Sequence, residues 1–212
     1  MWAIVVAGGS GQRFGQMKQF APLHGRPVLQ WAVEACRPAA TGVVLVVPES
    51  APLTESYAAD VVVEGGATRS ESVRRGLAEV PSSAEIIVVH DAARPLASPE
   101  LFRAVIAAIT GGGADGAVPG VPVGDTIKVV DDSGNVTTTL DRSTLVAVQT
   151  PQAFRADLLR RAHAGGTGAT DDAALVEALG ATVRVIGGEA RNLKITTPDD
   201  LRTAEQLLVP GP

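Results

Sequence analysis

The first eighteen residues place a short apolar segment directly before a glycine-rich loop. The segment Ala3–Ala7 predicts a buried β-strand, and the loop after it contains Arg13 and ends at Lys18. Glycine lets backbone N–H groups approach an anion closely, and the two cations add positive charge where a polyphosphate would lie. The spacing fits neither the P-loop of ATPases nor the dinucleotide-binding loop. It therefore predicts an α/β protein with another type of nucleotide loop, the alternative being an ordinary glycine-rich turn.

Composition limits the class of partner. A length of 212 residues with 45% hydrophobic content fits one α/β domain with a sizeable core. The aromatic content of 3% argues against a base-stacking surface, and a net charge of -5 argues against nucleic acid or an anionic membrane as a partner.

The single cysteine, Cys36, excludes an intramolecular disulfide and a multi-cysteine metal site, and we expect it to be buried in a helix. The chain has no signal-peptide pattern and no apolar run of about 18 residues. These features predict a cytoplasmic protein.

Strand and helix patterns alternate through the first half of the chain. The predicted strands are Ala3–Ala7, Val43–Val47, Asp60–Val63 and Ile86–His90. The predicted helices are Pro27–Cys36, Leu53–Ala59, Arg69–Glu79 and Pro99–Ile109. This alternation predicts a mainly parallel sheet with the loops after Ala7 and His90 on one rim, where such sheets bind ligands.

The pattern changes after Gly116. Asp125–Val130 and Val136–Leu140 predict a hairpin that projects from the main sheet, either as a contact with a partner subunit or as a surface flap. The later elements are predicted strands Val146–Thr150 and Val183–Ile186, and helices Arg155–His163, Asp171–Leu179 and Pro198–Leu208, the last capped by Thr197 with Asp200.

Asp91 and Arg94 follow the carboxyl end of the fourth predicted strand. Asp91 can meet a ribose hydroxyl or a hydrated Mg²⁺, and Arg94 can grip a phosphate, the alternative being a structural Asp–Arg pair. We expect His90 to be a packed strand residue.

Two further motifs carry polar groups that can reach a nucleotide. Gly65–Ser72 is a second glycine turn into a helix, which can read a base edge or be a simple capped helix start. Lys194 is predicted on a short strand, where it either meets a bound phosphate or protects a sheet edge.

For the other polar clusters, a purely structural role is the alternative to a functional one. Asp125–Lys128 and the pair Asp141 and Arg142 lie at the two ends of the hairpin and can be solvated surface charges. Thr150–Gln152 and Thr170–Asp172 fit element boundaries, with Thr170 a good helix cap.

The ordered set of motifs is specific although each one is weak alone. The chain contains Ala-Gly-Gly-Ser-Gly-x-Arg, Lys-Gln, Gly-Gly-x-x-Arg-x-x-Ser, His-Asp-Ala-Ala-Arg-Pro, Asp-Thr-Ile-Lys, Thr-Pro-Gln, Thr-Asp-Asp-Ala and Asn-Leu-Lys-Ile-Thr-x-Pro-Asp-Asp-Leu. From Ala3 to about Leu208 it resembles the 2-C-methyl-D-erythritol 4-phosphate cytidylyltransferases of isoprenoid biosynthesis.

The resemblance implies a fold and a reaction. The fold is a Rossmann-like nucleotidyltransferase, a three-layer α/β sandwich with a mostly parallel sheet, in which residues 1–212 form one domain and 122–145 form a projecting β-arm used for homodimerisation. The reaction is attack of the phosphate of methylerythritol phosphate on the α-phosphorus of CTP, with Mg²⁺ or another divalent cation, and release of pyrophosphate.

The resemblance also assigns roles to residues, which are listed here by role. The catalytic residues are Arg13, Lys18 and Lys194. The nucleotide-binding residues are Ala7, Gly8, Gly9, Ser10, Gly11, Gly66, Ser72, Asp91 and Ala92. The residues that bind the second substrate are Arg94, Thr126, Arg142 and Thr170, with Thr126 and Arg142 supplied by the neighbouring subunit, and Asp91 is the metal ligand.

Three positions depart from the family pattern. Met17 stands where a proline usually precedes the lysine, Ala67 stands where the base-reading turn often has a polar residue, and Gly124 stands where a larger residue is common. The competing interpretations are a ribitol-5-phosphate cytidylyltransferase, a molybdopterin guanylyltransferase and a nucleotide-binding protein without turnover. The double alanine of Ala92 and Ala93 and the motif Asp125–Lys128 favour methylerythritol phosphate as the acceptor.

Overall fold

The structure, a computed structural model, describes residues 1–8, 14, 17–49, 51, 57–165 and 171–208. In chain order the described strands are β1 (Trp2–Val6), β2 (Pro22–Leu23), β3 (Arg26–Pro27), β4 (Gly42–Val47), β5 (Val61–Glu64), β6 (Ile86–Asp91), β7 (Gly116–Pro122), β8 (Lys128–Val130), β9 (Val136–Thr139), β10 (Val146–Val148), β11 (Gln152–Arg155) and β12 (Val183–Gly187). The α-helices are α1 (Val28–Cys36), α2 (Arg69–Glu79), α3 (Pro99–Thr110), α4 (Ala156–Ala164), α5 (Asp172–Glu177) and α6 (Pro198–Leu207).

The main sheet is mostly parallel, as the alternating pattern predicts. Strands β5, β4, β1 and β6 are parallel neighbours in that order. Val6 pairs with Val46 on one side and Asp91 on the other, so the carboxyl ends of β1, β4 and β6 are level. Beyond β6, strands β11 and β10 run antiparallel along one edge of β7, and β12 pairs in parallel with its other edge.

Helices cover both faces of this sheet because its strands are apolar on both sides. Along β1, Ala3 and Val5 face a core cluster that includes α1 and α3 residues, whereas Ile4 faces a second cluster with α2, α4 and α5. The result is the expected three-layer α/β sandwich. Cys36 is fully buried on α1, as expected, and burial raises the pKa of its thiol to about 12.

A third apolar cluster lies at the rim of the sheet, outside the two faces. Leu23 of β2, Ile195 and Ala204 of α6 are fully buried in it, together with Phe14 and Leu96. Helix α6 begins with the predicted capping box, because Thr197 accepts from the backbone N–H of Asp200 while the Asp200 carboxylate accepts from that of Thr197.

Three predicted elements differ from the structure, one of them the strand predicted at Lys194, which is a loop. Gln152–Arg155, predicted as an element boundary followed by a helix start, forms the short strand β11 between β6 and β7. The segment is buried between two strands, which favours an extended backbone. Its sequence did not predict a strand, because a proline, Pro151, stands directly before it. Of the predicted helix Leu53–Ala59, residues 53–56 lie outside the described residues, and Ala58 and Ala59 belong to no helix.

The predicted hairpin is present and forms a separate two-stranded sheet. Strands β8 and β9 are antiparallel, with Lys128 opposite Thr139, and all of their residues are exposed. The Asp131 carboxylate accepts from the backbone N–H of Ser133 at 3.0 Å and of Asn135 at 2.8 Å, and Gly134 supplies the positive φ of 81° in the turn. Its use in dimerisation, and the single domain 1–212, stay predictions.

Within the described ranges, every helix is too short or too polar to span a lipid bilayer.

Candidate functional site

A cleft of about 370 Å³ opens at the level carboxyl ends of β1 and β6. Its walls come from the end of β1, the segment after it, the start of α2, the end of β6 and the Lys194 loop. The predicted site residues that line it are Ala7, Gly8, Lys18, Ser72, Asp91, Ala92 and Lys194. The structure therefore brings these predicted residues, which are far apart in the chain, to one cleft.

The second glycine turn lies at one wall of the cleft. Ser72 is buried, and its Oγ accepts from the Gly66 N–H at 3.1 Å and donates to the Thr68 carbonyl at 2.9 Å. A Cβ on Gly8 would lie 2.9 Å from that hydroxyl, so the first glycine loop packs directly on the second. The capped helix start is present too, because the Thr68 side chain accepts from the Glu71 N–H. The helix start is therefore capped, and the reading of a base edge by this turn stays a prediction.

Asp91 ends β6 and is held from several sides. Its backbone N–H donates to Thr150 Oγ1 at 3.0 Å. Its Oδ1 accepts from Arg69 Nε at 3.1 Å, and its Oδ2 accepts from Lys194 Nζ at 2.6 Å. Burial by itself raises the pKa of this carboxyl, but the charges of Arg69 and Lys194 outweigh it and hold the pKa well below its usual range. The cleft therefore contains a permanent negative charge between two cations.

Arg69 is the site residue that sequence reasoning missed. It begins α2, lines the cleft and bridges two carboxylates, since its Nη1 also donates to Asp172 Oδ2 at 2.8 Å. Asp172 in turn accepts from His163 Nε2 at 2.9 Å. The signal was present in the motif Gly-Gly-x-x-Arg-x-x-Ser, but nothing in the local spacing shows that α2 starts beside the end of β6.

Arg94 does not form the structural ion pair with Asp91 that was the alternative interpretation. Its guanidinium donates to the carbonyl oxygens of Asn192 at 2.7 Å and Val148 at 3.4 Å. His90 is the packed strand residue expected, fully buried against Phe102, and burial lowers its pKa to about 4.

A smaller cavity of about 150 Å³ adjoins the cleft and shares Arg69, Asp91 and Lys194 with it. Arg94 and Gln152 also line it. Arg94 Nε and Gln152 Oε1 are buried without a hydrogen-bond partner in the part of the chain that the structure describes. Buried polar atoms ordinarily find a partner, so these two atoms are exceptions beside this cavity.

Lys194 lies in a loop rather than on the predicted strand. The loop lies beside the turn after β6, where the Ile195 N–H donates to the Ala93 carbonyl at 2.8 Å. It therefore does not pair with the edge of a sheet. Ile195 anchors it in the same apolar cluster that holds Leu23, which follows the Lys18 segment. Lys18 and Lys194 are therefore fixed to one small core.

The remaining predicted residues fall into two groups. Gly9, Ser10, Gly11, Arg13 and Thr170 lie outside the described residues. Thr126 and Arg142 flank the hairpin, are exposed and do not line the cleft of their own chain, and Arg142 Nη1 donates to the Gly124 carbonyl at 2.6 Å.

Comparison with known proteins gives consistent matches. The family model described as IspD, 2-C-methyl-D-erythritol 4-phosphate cytidylyltransferase, matches residues 1–209. The chain is 46% identical over 97% of its length to the 2-C-methyl-D-erythritol 4-phosphate cytidylyltransferase of Nocardia farcinica, of which it covers 93%. It is also 46% identical to the bifunctional enzyme IspD/IspF of Nitratidesulfovibrio vulgaris, with 94% of the chain covered, and spans only 56% of that protein.

Among solved structures, the 2-C-methyl-D-erythritol 4-phosphate cytidylyltransferase from Thermus thermophilus matches with a TM-score of 0.83 and 38% identity, over 96% of each chain. The correspondence confirms the α/β fold.

Proposed function

The chain belongs to the IspD family of 2-C-methyl-D-erythritol 4-phosphate cytidylyltransferases, and from this premise we propose that it transfers CMP from CTP to 2-C-methyl-D-erythritol 4-phosphate. The products are 4-diphosphocytidyl-2-C-methyl-D-erythritol and pyrophosphate, in isoprenoid precursor biosynthesis. The observation that carries the proposal is that Lys18 and Lys194 line the same cleft as the ionised Asp91. The family matches do not favour a ribitol-5-phosphate cytidylyltransferase or a protein without turnover.

The transfer needs alignment and charge neutralisation more than a strong base. An oxygen of the acceptor phosphate, already ionised, forms a bond to the α-phosphorus of CTP. The bond from that phosphorus to the oxygen bridging to the β-phosphate breaks, and pyrophosphate leaves with that oxygen. Lys18 and Lys194 stabilise the added charge around the α-phosphate from fixed positions, and we assign Arg13 the same task.

Asp91 fits the role of metal ligand. The described residues contain no group of three or more His, Cys, Asp or Glu that could hold a metal alone. Mg²⁺, however, is commonly held by one or two carboxylates together with substrate phosphates, and Asp91 supplies an ionised carboxylate inside the cleft. When bound, the metal neutralises charge on the triphosphate.

The glycine turn at Gly66 and Ser72 is the proposed base-reading wall. Its backbone N–H groups and the Ser72 hydroxyl lie beside Gly8, at the start of the loop that we propose cradles the phosphates together with Gly9, Ser10 and Gly11.

The acceptor is proposed to occupy the smaller cavity beside Asp91. Arg94 lines this cavity and supplies positive charge there for a phosphate. We assign Thr126 and Arg142 to the acceptor bound by the neighbouring subunit of a homodimer, since they flank a hairpin whose strands are exposed, and Thr170 to the same substrate.

A substrate grid tests the proposal. CTP, UTP, GTP and ATP are each offered with methylerythritol phosphate and with ribitol-5-phosphate, in Mg²⁺ and in EDTA, and pyrophosphate release is measured. We expect Mg²⁺-dependent release only with CTP and methylerythritol phosphate. Release only with ribitol-5-phosphate, or no release from folded protein with any pair, would overturn it.

A further inference from the structure

Asp172 is a buried carboxylate that lines neither cavity. It begins α5, is only 1% exposed and divides its oxygens between two partners, Arg69 Nη1 at 2.8 Å and His163 Nε2 at 2.9 Å. The sequence explained the acid as part of a helix start. Asp171 already performs that task, because its side chain accepts from the Ala174 N–H. The buried carboxylate of Asp172 is therefore left for its two side-chain partners, of which Arg69 is the one that lines the cleft.

The contacts form a line of alternating charges. Lys194 and Arg69 each hold one oxygen of Asp91, and Asp172 holds the far side of Arg69. The planar guanidinium has donors in a fixed fork, so donation from Nη1 to Asp172 fixes the direction in which Nε points at Asp91. Without Asp172, the whole Arg69 charge would be directed at the Asp91 carboxylate.

We propose that Asp172 is a positioning residue for cytidylyl transfer: it holds and partly neutralises Arg69, and thereby keeps the Asp91 carboxylate oriented and available to a divalent cation. The inference rests on the proposed function. Asp172 touches neither nucleotide nor metal in this account and acts only through Arg69.

The proposal predicts a specific split in Asp172→Asn. The variant keeps the size of the side chain but no longer neutralises Arg69, so the whole positive charge of Arg69 is directed at the Asp91 carboxylate. We expect the Mg²⁺ concentration needed for half-maximal CTP binding to rise roughly tenfold. CTP binding in EDTA should not weaken, because an added positive charge attracts a triphosphate. General damage to the site would instead weaken binding under both conditions.

Calorimetric titration of CTP into the protein, at a series of Mg²⁺ concentrations and in EDTA, measures both quantities without turnover. Asp60→Asn is the matched control, since Asp60 forms another Asp–Arg pair, with Arg37 at 2.6 Å, beside the amino end of β4. It should leave the Mg²⁺ dependence at the wild-type value.

A double-mutant cycle tests whether Asp172 acts through Arg69. In the Arg69→Gln background, Asp172→Asn should change the Mg²⁺ dependence less than twofold. The double variant also removes the two charges of the Arg69–Asp172 pair together, so it is expected to fold even if Asp172→Asn alone does not.

The outcomes are distinguishable. If wild-type protein binds no CTP at any Mg²⁺ concentration, the proposed function fails. If wild type binds and Asp172→Asn behaves like Asp60→Asn, or loses CTP affinity equally in EDTA, the positioning role is wrong. An unchanged effect of Asp172→Asn in the Arg69→Gln background would show that it does not act through Arg69.

Discussion

At the scale of single residues, the Asp91 carboxylate organises the cleft. Removing a carboxylate from water is costly unless charged donors replace the lost hydration, and here Arg69 and Lys194 each supply one donor. These ion pairs hold two cationic side chains beside the place where the triphosphate is proposed to bind. Lys18, from a separate segment, lines the same cleft and adds a third.

Lys18→Ala should lower kcat about 100-fold or more while leaving the fold intact, because a fixed cation at a developing phosphate charge contributes mainly in the transition state. Steady-state kinetics and a thermal melt measure the two effects. Arg103→Ala, which removes an exposed cation paired with Glu100 on α3, is the control and should keep wild-type kcat. Equal kcat in the folded Lys18 variant and wild type would remove Lys18 from the catalytic residues.

Residue types and the family resemblance together selected Asp91, Lys18 and Lys194, since the residue types alone left a structural alternative open for each. They were not enough for Arg69 and Asp172. That ion pair joins residues 103 positions apart, at the starts of two short helices, and the local sequence at each start is fully explained by helix capping. Only the packing of both helices on one face of the sheet shows why both charges are there.

At the scale of elements, α2 is fixed by close packing on the sheet. Gly76 faces β1 and β4, and a Cβ added there would lie 2.7 Å from Ile4 Cγ2 and 3.0 Å from Val46 Cγ2. Both side chains are β-branched and fully buried, so neither can move aside freely. This close approach sets the position of the helix whose first residue is Arg69.

Gly76→Ala should therefore destabilise the protein, although alanine has the higher helix propensity by about 1 kcal/mol. Overpacking costs about 1–3 kcal/mol, so we expect a net decrease in the free energy of unfolding, measured by urea denaturation. Ala78→Gly, on the exposed face of the same helix, calibrates propensity without packing. A stabilised Gly76→Ala variant would show that the contact is not tight.

Asp200 stabilises the start of α6 in a pH-dependent way. Burial alone raises its pKa, but hydrogen bonds from Thr196 and Thr197 lower it to about 2. Because the folded pKa lies below the unfolded value of about 3.9, the stabilisation is complete above that value and is lost as the pH falls toward 2. We expect Asp200→Ala to cost about 1 kcal/mol at pH 7 and less at pH 3, by urea denaturation.

The control for this experiment is Asp199→Ala, since Asp199 is exposed in the same first turn and pairs with the exposed Arg202. Its effect should be near zero at pH 7. A pH-independent cost for Asp200→Ala would contradict a role for its ionised carboxylate.

Strong periodicity and capping residues predicted most elements to within a few residues. The helix start at Arg69 and the capping box at Thr197 are examples, because their signals are local. Strand β11 was missed because four residues carry too little pattern, and its identity comes from the gap between β6 and β7 that it fills. The Lys194 loop was predicted as a strand for a related reason, because a short apolar pattern does not show where its side chains pack. Ile195 packs in the apolar cluster at the rim and not in the sheet.

At the scale of the whole molecule, the hairpin extends its apolar side chains into solvent. Val129, Val130 and Val136 of β8 and β9 are each more than 40% exposed. Val146 of β10, the strand that follows the hairpin in the chain, is 42% exposed. Exposed apolar patches of this kind commonly mark protein–protein contacts, which supports the proposed homodimer. The parallel sheet with helices on both faces followed from the alternating pattern, whereas contact of the hairpin with a second chain stays a prediction.

Mixing two inactive variants tests whether the neighbouring subunit completes each site. Lys18→Ala disables the cleft, and Arg142→Ala disables the hairpin contribution. After subunit exchange, each heterodimer should contain one site with both residues intact, giving about a quarter of wild-type activity in an equal mixture. A mixture of Lys18→Ala and Lys194→Ala should stay inactive, because every cleft lacks one cation. Failure of the first mixture, with heterodimers detected by mass, would contradict a shared site.

The most direct test of the account is to follow the atoms of the acceptor. Methylerythritol phosphate labelled with ¹⁸O in its phosphate group is incubated with CTP, Mg²⁺ and the protein, and the products are analysed by mass spectrometry. Attack of the acceptor oxygen on the α-phosphorus predicts a diphosphocytidyl product that keeps all of the label and pyrophosphate that has none. Label in the pyrophosphate, or no labelled diphosphocytidyl product from folded protein, would contradict cytidylyl transfer by this chain.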